Sequence, residues 1–384
     1  MARVTLADIK TLSDHANATL ADIRDGMLEP FPRKTPPTFS SSQVAALCGV
    51  DAERMRYLLK KPDAPVGEQI GRRRVRYSLI ETRRLILQHA GILSRPDGAR
   101  GATIACVNFK GGSTKTTTAF NLAQGLTLRG RRVLLVDLDP QASATTLCGI
   151  LPPLEVDEGE TAQPITWGDD APEDLRYAVR PTYWDGLDLI PAMPLLYNAE
   201  WLLVSRVSNP KSRWWDLLNA KLEPLRADYD VIIIDTQPAL SLMGVLAAYA
   251  ADGLLMPLPP ETLDYASSTS FWQMTWEILE KIHETLGVEK DFAFLKVLVS
   301  RSDASLSASL VRRAISTTYG QYLMSREIPK SQVTTNSAVQ FGTVHDVSEY
   351  EGGAATYHKI RDAYDEVVRE IDDQILIDCW GVNT

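Results

Sequence analysis

The sequence predicts an α/β region with a mostly parallel, doubly wound sheet flanked by helices, preceded by a helix and a winged helix-turn-helix. Three observations predict this fold class. From about residue 100, continuous apolar segments alternate with helical ones, as in strands that are buried on both faces of a parallel sheet. A glycine-rich loop joins the first of these strands to a helix, and two short helices with a tight turn precede the whole region.

The composition fits a globular protein of two or three domains, because the 384 residues are 45% hydrophobic and 23% charged. The amino-terminal segment lacks a signal-peptide core, and the most apolar stretch, "SLMGVLAAYAADGLLMPL", is interrupted by Asp252. We therefore expect a cytoplasmic protein without a membrane partner. The dispersed cysteines indicate neither a zinc site nor a disulfide framework, and we expect buried, reduced thiols at Cys48, Cys106, Cys148 and Cys379.

Charge is distributed unevenly along the chain. The formal net charge is -9, but residues 51–100 contain twelve Lys and Arg against six Asp and Glu, so this window is +6 and the remainder is -15. A local basic region matters more than the total charge when the partner is a polyanion.

Residues 1–30 form the first predicted unit, an amphipathic helix. Apolar residues recur at near-helical spacing through "VTLADIKTLSDHANATLADIRDGML". Because a single amphipathic helix needs a partner surface, we expect this one to mediate dimerisation. The segment "EPFPRKTPP" then ends the helix and is typical of a linker.

Residues 38–98 form the second predicted unit. In "FSSSQVAALCGVDAERMRYLLKK" the serines cap a short helix, Gly49 makes a turn, and acidic residues open a second helix. "GRRRVRYS" then suits a basic β-hairpin wing. The pattern resembles the winged helix-turn-helix of MerR-like DNA-binding proteins, which implies two groups of DNA contacts. Arg54 and Arg56 would enter the major groove, and Arg72, Arg73, Arg74 and Arg76 would contact phosphates or the minor groove. The alternative is an ordinary helical domain with a solvated arginine run.

Residues 99–384 form the third predicted unit, in which strands alternate with helices. The predicted strands are "ATIACVNF", "RRVLLVDLD", "LDLIPA", "YDVIIIDTQ", "DGLLMPLPP" and "FLKVLVSR". Ligands of such sheets bind at the carboxyl ends of the strands. Residues 155–174 hold eight carboxylates and no basic residue, and we expect them to form a solvated insertion, with a partner surface as a second interpretation.

The loop in "NFKGGSTKTTTAFNLAQGL" has the features of a phosphate cradle. Gly111 and Gly112 allow close backbone approach, Lys115 supplies charge, Thr116 supplies a hydroxyl for Mg²⁺, and a helix begins behind them. The usual pattern has glycine directly before the lysine, where this chain has Thr114. If the backbone has a negative φ there, a residue other than glycine costs little.

"KGGSTKTT" resembles the deviant Walker A motif of the ParA/MinD ATPases. The resemblance implies that ATP or ADP contacts the loop at Lys110, Gly111, Gly112, Ser113, Thr114, Lys115, Thr116 and Thr117. "VLLVDLDPQASAT" is similar to the second motif of that family, in which Asp139 orients the hydrolytic water and Asp137 supports the metal and the lysine. "YDVIIIDTQPAL" is similar to the Walker B strand, with Asp235 reaching Mg²⁺ through water. The resemblance covers roughly residues 100 to 375.

The resemblance implies a slow ATPase that acts as a switch. Lys110, Lys115 and Asp139 would be catalytic. Of these, Lys110 would reach across a homodimer to the partner's phosphates, so that two subunits enclose two ATP molecules. Thr116, Asp137 and Asp235 would hold Mg²⁺. Hydrolysis would then loosen the dimer.

The amino-terminal units resemble those of the large plasmid-type partition proteins. This resemblance implies a repressor of its own operon that also binds nucleoid DNA without sequence preference and is stimulated by a ParB-like centromere-binding partner. The implied nonspecific DNA contacts are Arg313 and Lys330, with Arg301, Arg312 and Arg326 as further candidates; solvated surface charge is the alternative for each.

Three competing functions differ in sequence features. A membrane-associated MinD-like ATPase needs a basic amphipathic carboxyl-terminal helix, whereas "DEVVREIDDQILIDCWGVNT" is acidic. A nitrogenase-reductase-like electron carrier needs cysteines placed for a cluster, which the dispersed cysteines do not suggest. The third is a transcriptional repressor whose ATPase site is impaired, because Thr114 departs from the loop pattern.

Overall fold

The computed structural model describes residues 4–28, 33–71, 74–207, 209, 212–239, 241–331, 342–348 and 354–382. The chain begins with helix α1 (Leu6–Leu28). Its apolar residues are exposed: Leu6 by 85%, Leu12 by 68% and Ile23 by 46%. The predicted helix is therefore present, and its apolar residues are exposed to solvent.

Three helices and a small sheet follow α1. They are strand β1 (Phe39–Ser40), helices α2 (Ser41–Leu47) and α3 (Ala52–Leu58), strands β2 (Glu68–Ile70) and β3 (Arg74–Tyr77), and helix α4 (Leu79–His89). Ser40 and Asp51 accept backbone hydrogen bonds as the N-caps of α2 and α3. Gly49 adopts a φ of 64° in the turn between these helices. The strands pair antiparallel in the order β1-β3-β2, so the expected two helices and hairpin are present.

A seven-stranded sheet forms the centre of the larger unit. Its strands are β4 (Ala102–Cys106), β5 (Val133–Asp137), β6 (Arg180–Pro181), β7 (Leu187–Ile190), β8 (Val231–Asp235), β9 (Gly253–Leu258) and β10 (Phe294–Val299). Their order is β10-β9-β4-β8-β5-β7-β6, and every pair is parallel except β6 with β7. Alternate residues of β8 enter the two hydrophobic clusters on either face of the sheet. The predicted doubly wound α/β fold is confirmed.

Helices cover both faces of this sheet. They are α5 (Lys115–Leu128), α6 (Ser143–Leu147), α7 (Pro152–Glu155), α8 (Tyr197–Val207), α9 (Leu217–Leu222), α10 (Leu242–Ala250), α11 (Thr262–Leu286), α12 (Leu306–Tyr319) and α13 (Ala354–Gln374). Helices α5 and α13 pack so closely that a Cβ at Gly125 would lie 2.4 Å from the Val368 side chain. Among the described helices, none combines the length and apolar character needed to cross a bilayer. Cys48, Cys106 and Cys148 are buried, and Cys379 is partly exposed.

Helix α4 attaches the amino-terminal unit to the end of α5. The Arg83 guanidinium donates to the carbonyl oxygens of Thr127 at 3.1 Å and Arg131 at 3.2 Å, and it pairs with Asp185. Thr127 lies in the last turn of α5, where a cation stabilises the exposed carbonyl groups. The predicted second and third units therefore share buried contacts.

The expectation of a solvated insertion at residues 155–174 is wrong for its centre. Residues 161–166 are buried, and Ala162 and Ile165 belong to the hydrophobic cluster beneath α8. The carboxylates lie on either side of this buried stretch, which explains why composition alone suggested a solvated segment.

Candidate functional site

The predicted site residues follow three neighbouring strands at one edge of the sheet. Cys106, at the end of β4, is in register with Asp235, at the end of β8, and Asp235 is in register with Asp137, at the end of β5. Parallel strands end at the same edge, so the loops that follow them converge there.

The glycine-rich loop is held by contacts from its own residues and from the end of β10. The Lys110 N–H donates to Asn108 Oδ1 at 3.0 Å. Ser300 Oγ donates to the Ser113 carbonyl at 3.4 Å, and Arg301 donates to the Gly112 carbonyl at 3.2 Å. These two carbonyls are therefore bonded to the segment that follows β10, and the backbone N–H groups at the start of α5 are the groups suited to an anion.

The backbone at Thr114 does not have the negative φ that would make threonine cost little. Thr114 adopts a φ of 72°, in the left-handed region. A β-branched side chain is strained there, whereas glycine is not. The loop pattern therefore prefers glycine because of the backbone, and Thr114 holds the same conformation at a cost of about 1–3 kcal/mol.

Thr114→Gly should raise the free energy of unfolding by about 1 kcal/mol, because it removes the strain of a left-handed threonine. Urea denaturation followed by circular dichroism measures this change. Thr117→Gly is the matched control, since it places glycine within helix α5 and should lower stability by about 1 kcal/mol. Equal destabilisation by both variants would contradict the strain at Thr114.

Lys115 lies folded against the loop. Its ammonium donates to the Lys110 carbonyl at 3.2 Å, and only 5% of the residue is exposed. Burial lowers the pKa of Lys115, and the carboxylates of Asp235 and Asp139 oppose this effect. The Lys115 ammonium therefore lies near two carboxylates, in a loop where it could also bind phosphate oxygens.

Asp137 and Asp139 have different surroundings. The Asp137 carboxylate accepts hydrogen bonds from the Thr145 hydroxyl at 2.8 Å, the Thr145 N–H at 2.9 Å and the Asp139 N–H at 3.1 Å. Burial raises the pKa of Asp137 to about 7 in spite of these bonds. Asp137 thus positions the loop that carries Asp139.

Asp139 keeps part of its carboxylate available. Its Oδ1 accepts a hydrogen bond from the Gln141 N–H at 2.9 Å. Burial raises the pKa of Asp139, and the Lys115 charge opposes the rise. A carboxylate with a raised pKa beside a lysine suits a group that accepts a hydrogen bond from water.

Asp235 has the character of a magnesium-supporting residue. Neither of its carboxylate oxygens has a well-formed hydrogen bond within the described residues, although both are buried. Burial and the neighbouring Asp137 raise its pKa well above the usual range, and the nearby Thr116 hydroxyl and Lys115 charge only partly oppose this. Unpaired buried oxygens beside a hydroxyl fit a hydrated Mg²⁺, a cation that prefers oxygen ligands.

An open cavity of about 580 Å³ lies over these residues. Its lining combines the loop, from Gly112 to Thr117, with Asp139 and Thr343. Lys110 and Gly111 are not part of the lining, and neither are Asp137 and Asp235, which are buried. This volume is typical of a small-molecule site.

Three of the predicted operator-contacting residues are exposed, and two lie outside the described residues. Arg54 and Arg56 are exposed on α3, and the Arg54 guanidinium lies 5.3 Å from the Tyr57 ring centroid. Arg74 is exposed on β3. Arg72 and Arg73 lie outside the described residues.

The expected DNA contact of Arg76 is wrong, because Arg76 is buried. Its guanidinium donates to the Thr38 hydroxyl at 3.0 Å, to the Thr38 carbonyl and to the Ser348 carbonyl at 3.1 Å. Arg76 therefore joins the hairpin to the segment that precedes α13.

The carboxyl-terminal candidates also differ from one another. Arg313 and Lys330 are exposed. Arg312 pairs with Glu327 at 3.1 Å, and Arg326 pairs with Glu366 at 3.2 Å. Ion pairing makes these last two residues less available to phosphates.

Sequence reasoning missed two residues of the site. Thr145 orients Asp137 and also accepts a hydrogen bond from the Ala192 N–H at 2.9 Å, and Arg301 contacts the loop rather than standing apart as a surface charge. The only sequence signal for Arg301 is its place just after a strand, at the edge where the loops meet.

Comparisons with known proteins agree with this arrangement. The family model described as "AAA domain" matches residues 101–288. Protein SopA from Escherichia coli (strain K12) is 27% identical over 362 residues, which cover 92% of this chain and 92% of SopA. The chromosome partitioning protein ParA of Myxococcus xanthus (strain DK1622) is 40% identical over 176 residues, which cover 44% of this chain and 58% of that protein.

Two solved structures share the fold. One is described as "Partition Protein" and superposes with a TM-score of 0.65 at 20% identity, over 96% of this chain and 97% of that chain. The other is cobyrinic acid a,c-diamide synthase from Mycobacterium smegmatis with a bound ATP analog and magnesium. Its TM-score is 0.52 at 26% identity, over 68% of this chain and 93% of that chain.

Proposed function

We propose that this chain is a ParA-type P-loop partition protein that hydrolyses ATP as a DNA-segregation switch, a proposal that its similarity to SopA and ParA supports. The observation that carries the proposal is the convergence of Lys115, Asp139 and Asp235 at one strand edge beneath a nucleotide-sized cavity. In this proposal ATP drives formation of a homodimer that binds DNA, and hydrolysis to ADP and phosphate releases it.

The proposed mechanism assigns a role to each residue of the site. Lys115 neutralises charge on the β- and γ-phosphates, while the N–H groups at the start of α5 hold their oxygens. Thr117 would donate to phosphate, and Thr116 and Asp235 would hold a hydrated Mg²⁺. That ion would stabilise the negative charge that develops on the phosphates. Asp139 orients the attacking water, and Asp137 acts indirectly by holding the loop of Asp139 through Thr145.

Lys110 is proposed to act in the homodimer. Its backbone anchors the loop, and the residue is outside the lining of its own subunit's cavity. A lysine in this place is suited to contact the partner subunit's phosphates, so that ATP lies between two subunits. The exposed apolar residues of α1 are proposed as a second, nucleotide-independent dimer contact.

The unit from α2 to α4 is proposed to bind the operator of the protein's own operon. Arg54 and Arg56 on α3 would enter the major groove. Arg72, Arg73 and Arg74 of the hairpin would contact phosphates. Arg313 and Lys330 are proposed to bind nucleoid DNA without sequence preference. A ParB-like centromere-binding protein is the proposed stimulating partner.

Neutralising the hairpin should weaken operator binding. Replacing Arg72, Arg73 and Arg74 with glutamine should reduce the slope of log affinity against log salt by about three, because three phosphate contacts are lost. Anisotropy with duplex DNA from upstream of the coding sequence measures this slope. Lys281→Gln, which removes an exposed charge on α11, is the control. An unaltered slope in the triple variant would show that the hairpin arginines are solvated and do not contact DNA.

The decisive test of the function is ATP turnover by the purified protein with and without nonspecific DNA. Turnover that DNA raises, and that a ParB-like partner encoded in the same operon raises further, is the expected result. Operator binding without measurable ATP turnover would instead favour a repressor with an impaired ATPase site, the alternative suggested by the strained Thr114.

A further inference from the structure

Lys34, in the linker between α1 and β1, is buried against the larger unit. Only 8% of its side chain is exposed. Its ammonium donates to the Leu147 carbonyl at 2.8 Å and pairs with Asp346 at 3.1 Å. It also lies 4.3 Å from the centroid of the Tyr183 ring. A buried ammonium needs partners of this kind, because burial of an unpaired charge is costly.

Both partners of the Lys34 ammonium are tied to the wall of the nucleotide-sized cavity. Leu147, at the end of α6, lines the cavity directly. The Asp346 carboxylate accepts a hydrogen bond from the N–H of Thr343 at 2.8 Å, and Thr343 also lines the cavity. Lys34 therefore connects two parts of the cavity wall that are far apart in the sequence.

The polar side chains around Asp346 form a continuous network. Its second carboxylate oxygen accepts hydrogen bonds from the Tyr183 hydroxyl and, at 3.3 Å, from the Gln124 side-chain amide. Gln124 in turn accepts a hydrogen bond from the Thr343 hydroxyl. Because Gln124 lies on α5, the helix that begins at the phosphate loop, this network fixes the wall at Thr343 relative to that loop.

The linker follows the same wall on either side of the ammonium. The Thr38 N–H donates to Ser348 Oγ at 2.9 Å, two residues after Asp346. Gly149 approaches the linker so closely that a Cβ there would lie 3.0 Å from Lys34 Cβ. This part of the linker is therefore packed on the wall of the cavity.

We propose that Lys34 is a positioning residue for nucleotide binding. By holding Leu147 and Asp346 together, its ammonium fixes the part of the cavity wall that lies outside the phosphate loop. The site then depends on a residue that precedes the predicted third unit, residues 99–384. The inference rests on the proposed function, since it concerns the same ATP site.

Lys34→Met tests this role, because methionine keeps a chain of similar length and removes the ammonium. Calorimetric titration should give Kd values for ADP and for a non-hydrolysable ATP analogue that are both about tenfold higher than those of the wild type. The two values should rise by the same factor, because the affected wall is outside the loop that binds the terminal phosphates. Turnover at saturating ATP should stay within about twofold of the wild type.

This pattern separates positioning from a loss of stability. A substitution that only destabilises the fold reduces the number of binding sites and leaves the Kd of the folded protein unchanged. Lys34→Arg should return both Kd values to within about threefold of the wild type, because arginine keeps the charge, the donors and the contact with an aromatic ring. Normal Kd values in Lys34→Met, or equally raised values in Lys34→Arg, would overturn the proposal.

Lys290→Met is the matched control. Lys290 also donates to a backbone carbonyl, that of Ala251 at 2.7 Å, and it lies 5.0 Å from the Phe292 ring centroid. Ala251 and Lys290 precede strands β9 and β10, so this lysine lies at the edge of the sheet opposite the cavity. The control should leave both Kd values unchanged. An equal rise in the two lysine variants would contradict a specific role for Lys34.

Hydrogen exchange of the wild type tests the same contact without a substitution. Nucleotide binding and the order of the wall are linked, so ADP should slow amide exchange in residues 33–40 at least about threefold. Exchange around Lys290 should not change. If Lys34→Met does not fold, this measurement decides the question, and a linker that ADP leaves unprotected would overturn the proposal.

Failure of this inference differs from failure of the proposed function. If Lys115→Ala lowers ATP affinity and Lys34→Met does not, the loop binds nucleotide and only the role of Lys34 is wrong. If the wild type binds nucleotide without hydrolysing ATP, the proposed function is wrong, and the Kd values of the Lys34 variants still decide this inference.

Discussion

Lys115→Ala should lower ATP affinity by about 3 kcal/mol, or roughly a hundredfold in Kd. The ammonium of Lys115 is buried against the loop and is the cation closest in sequence to the start of α5, so its loss removes the charge that compensates the phosphates. The substitution also leaves Asp235 and Asp139 without the positive charge that opposes their raised pKa values. Calorimetric titration with a non-hydrolysable ATP analogue measures the affinity.

A control variant shows whether the loss of ATP affinity is specific to Lys115 or follows from removing another partly buried lysine. Lys290→Ala removes a half-buried lysine whose pKa burial lowers to about 8, and Lys290 does not line the cavity. It should therefore leave ATP affinity unchanged. If Lys115→Ala binds ATP with normal affinity and circular dichroism shows a folded protein, the loop is not the ATP-binding site.

Asp139→Ala should abolish ATP turnover while ATP-dependent dimers still form. The expected loss is at least about a hundredfold, the usual contribution of a group that orients or deprotonates an attacking water. Binding should persist because Asp139 contributes negative charge, which does not attract phosphate. Phosphate release measures turnover, and sedimentation with and without ATP measures dimerisation.

Asp139→Asn separates the charge of Asp139 from its structural role. Asparagine keeps an oxygen that can accept the Gln141 N–H, so the loop geometry is retained. Turnover should still be lost if the carboxylate orients water. An unchanged hydrolysis rate in either variant would overturn the role given to Asp139, and loss of ATP-dependent dimers in both would place the residue in nucleotide binding instead.

The strand edge could be predicted from sequence because its signals are local. Each motif follows an apolar run, as in "VLLVDLD" and "YDVIIID", and parallel strands must end together. The register of Asp137 with Asp235 then follows from the fold. What the motifs do not contain is the direction of each carboxylate. Asp137 and Asp235 look alike in sequence, yet one is saturated with hydrogen bonds and the other has none that is well formed among the described residues.

By itself, the sequence determined six of the seven strands of the large sheet, the loop and the acidic residues at the strand ends, because periodicity and capping act over a few residues. Tertiary structure alone decided three further points. Thr114 is left-handed because the loop must turn into α5. Arg76 is buried because Ser348, 272 positions away, accepts its hydrogen bond. The centre of residues 155–174 is buried because α8 packs on it. These features depend on residues that are distant in the sequence, so local composition does not predict them.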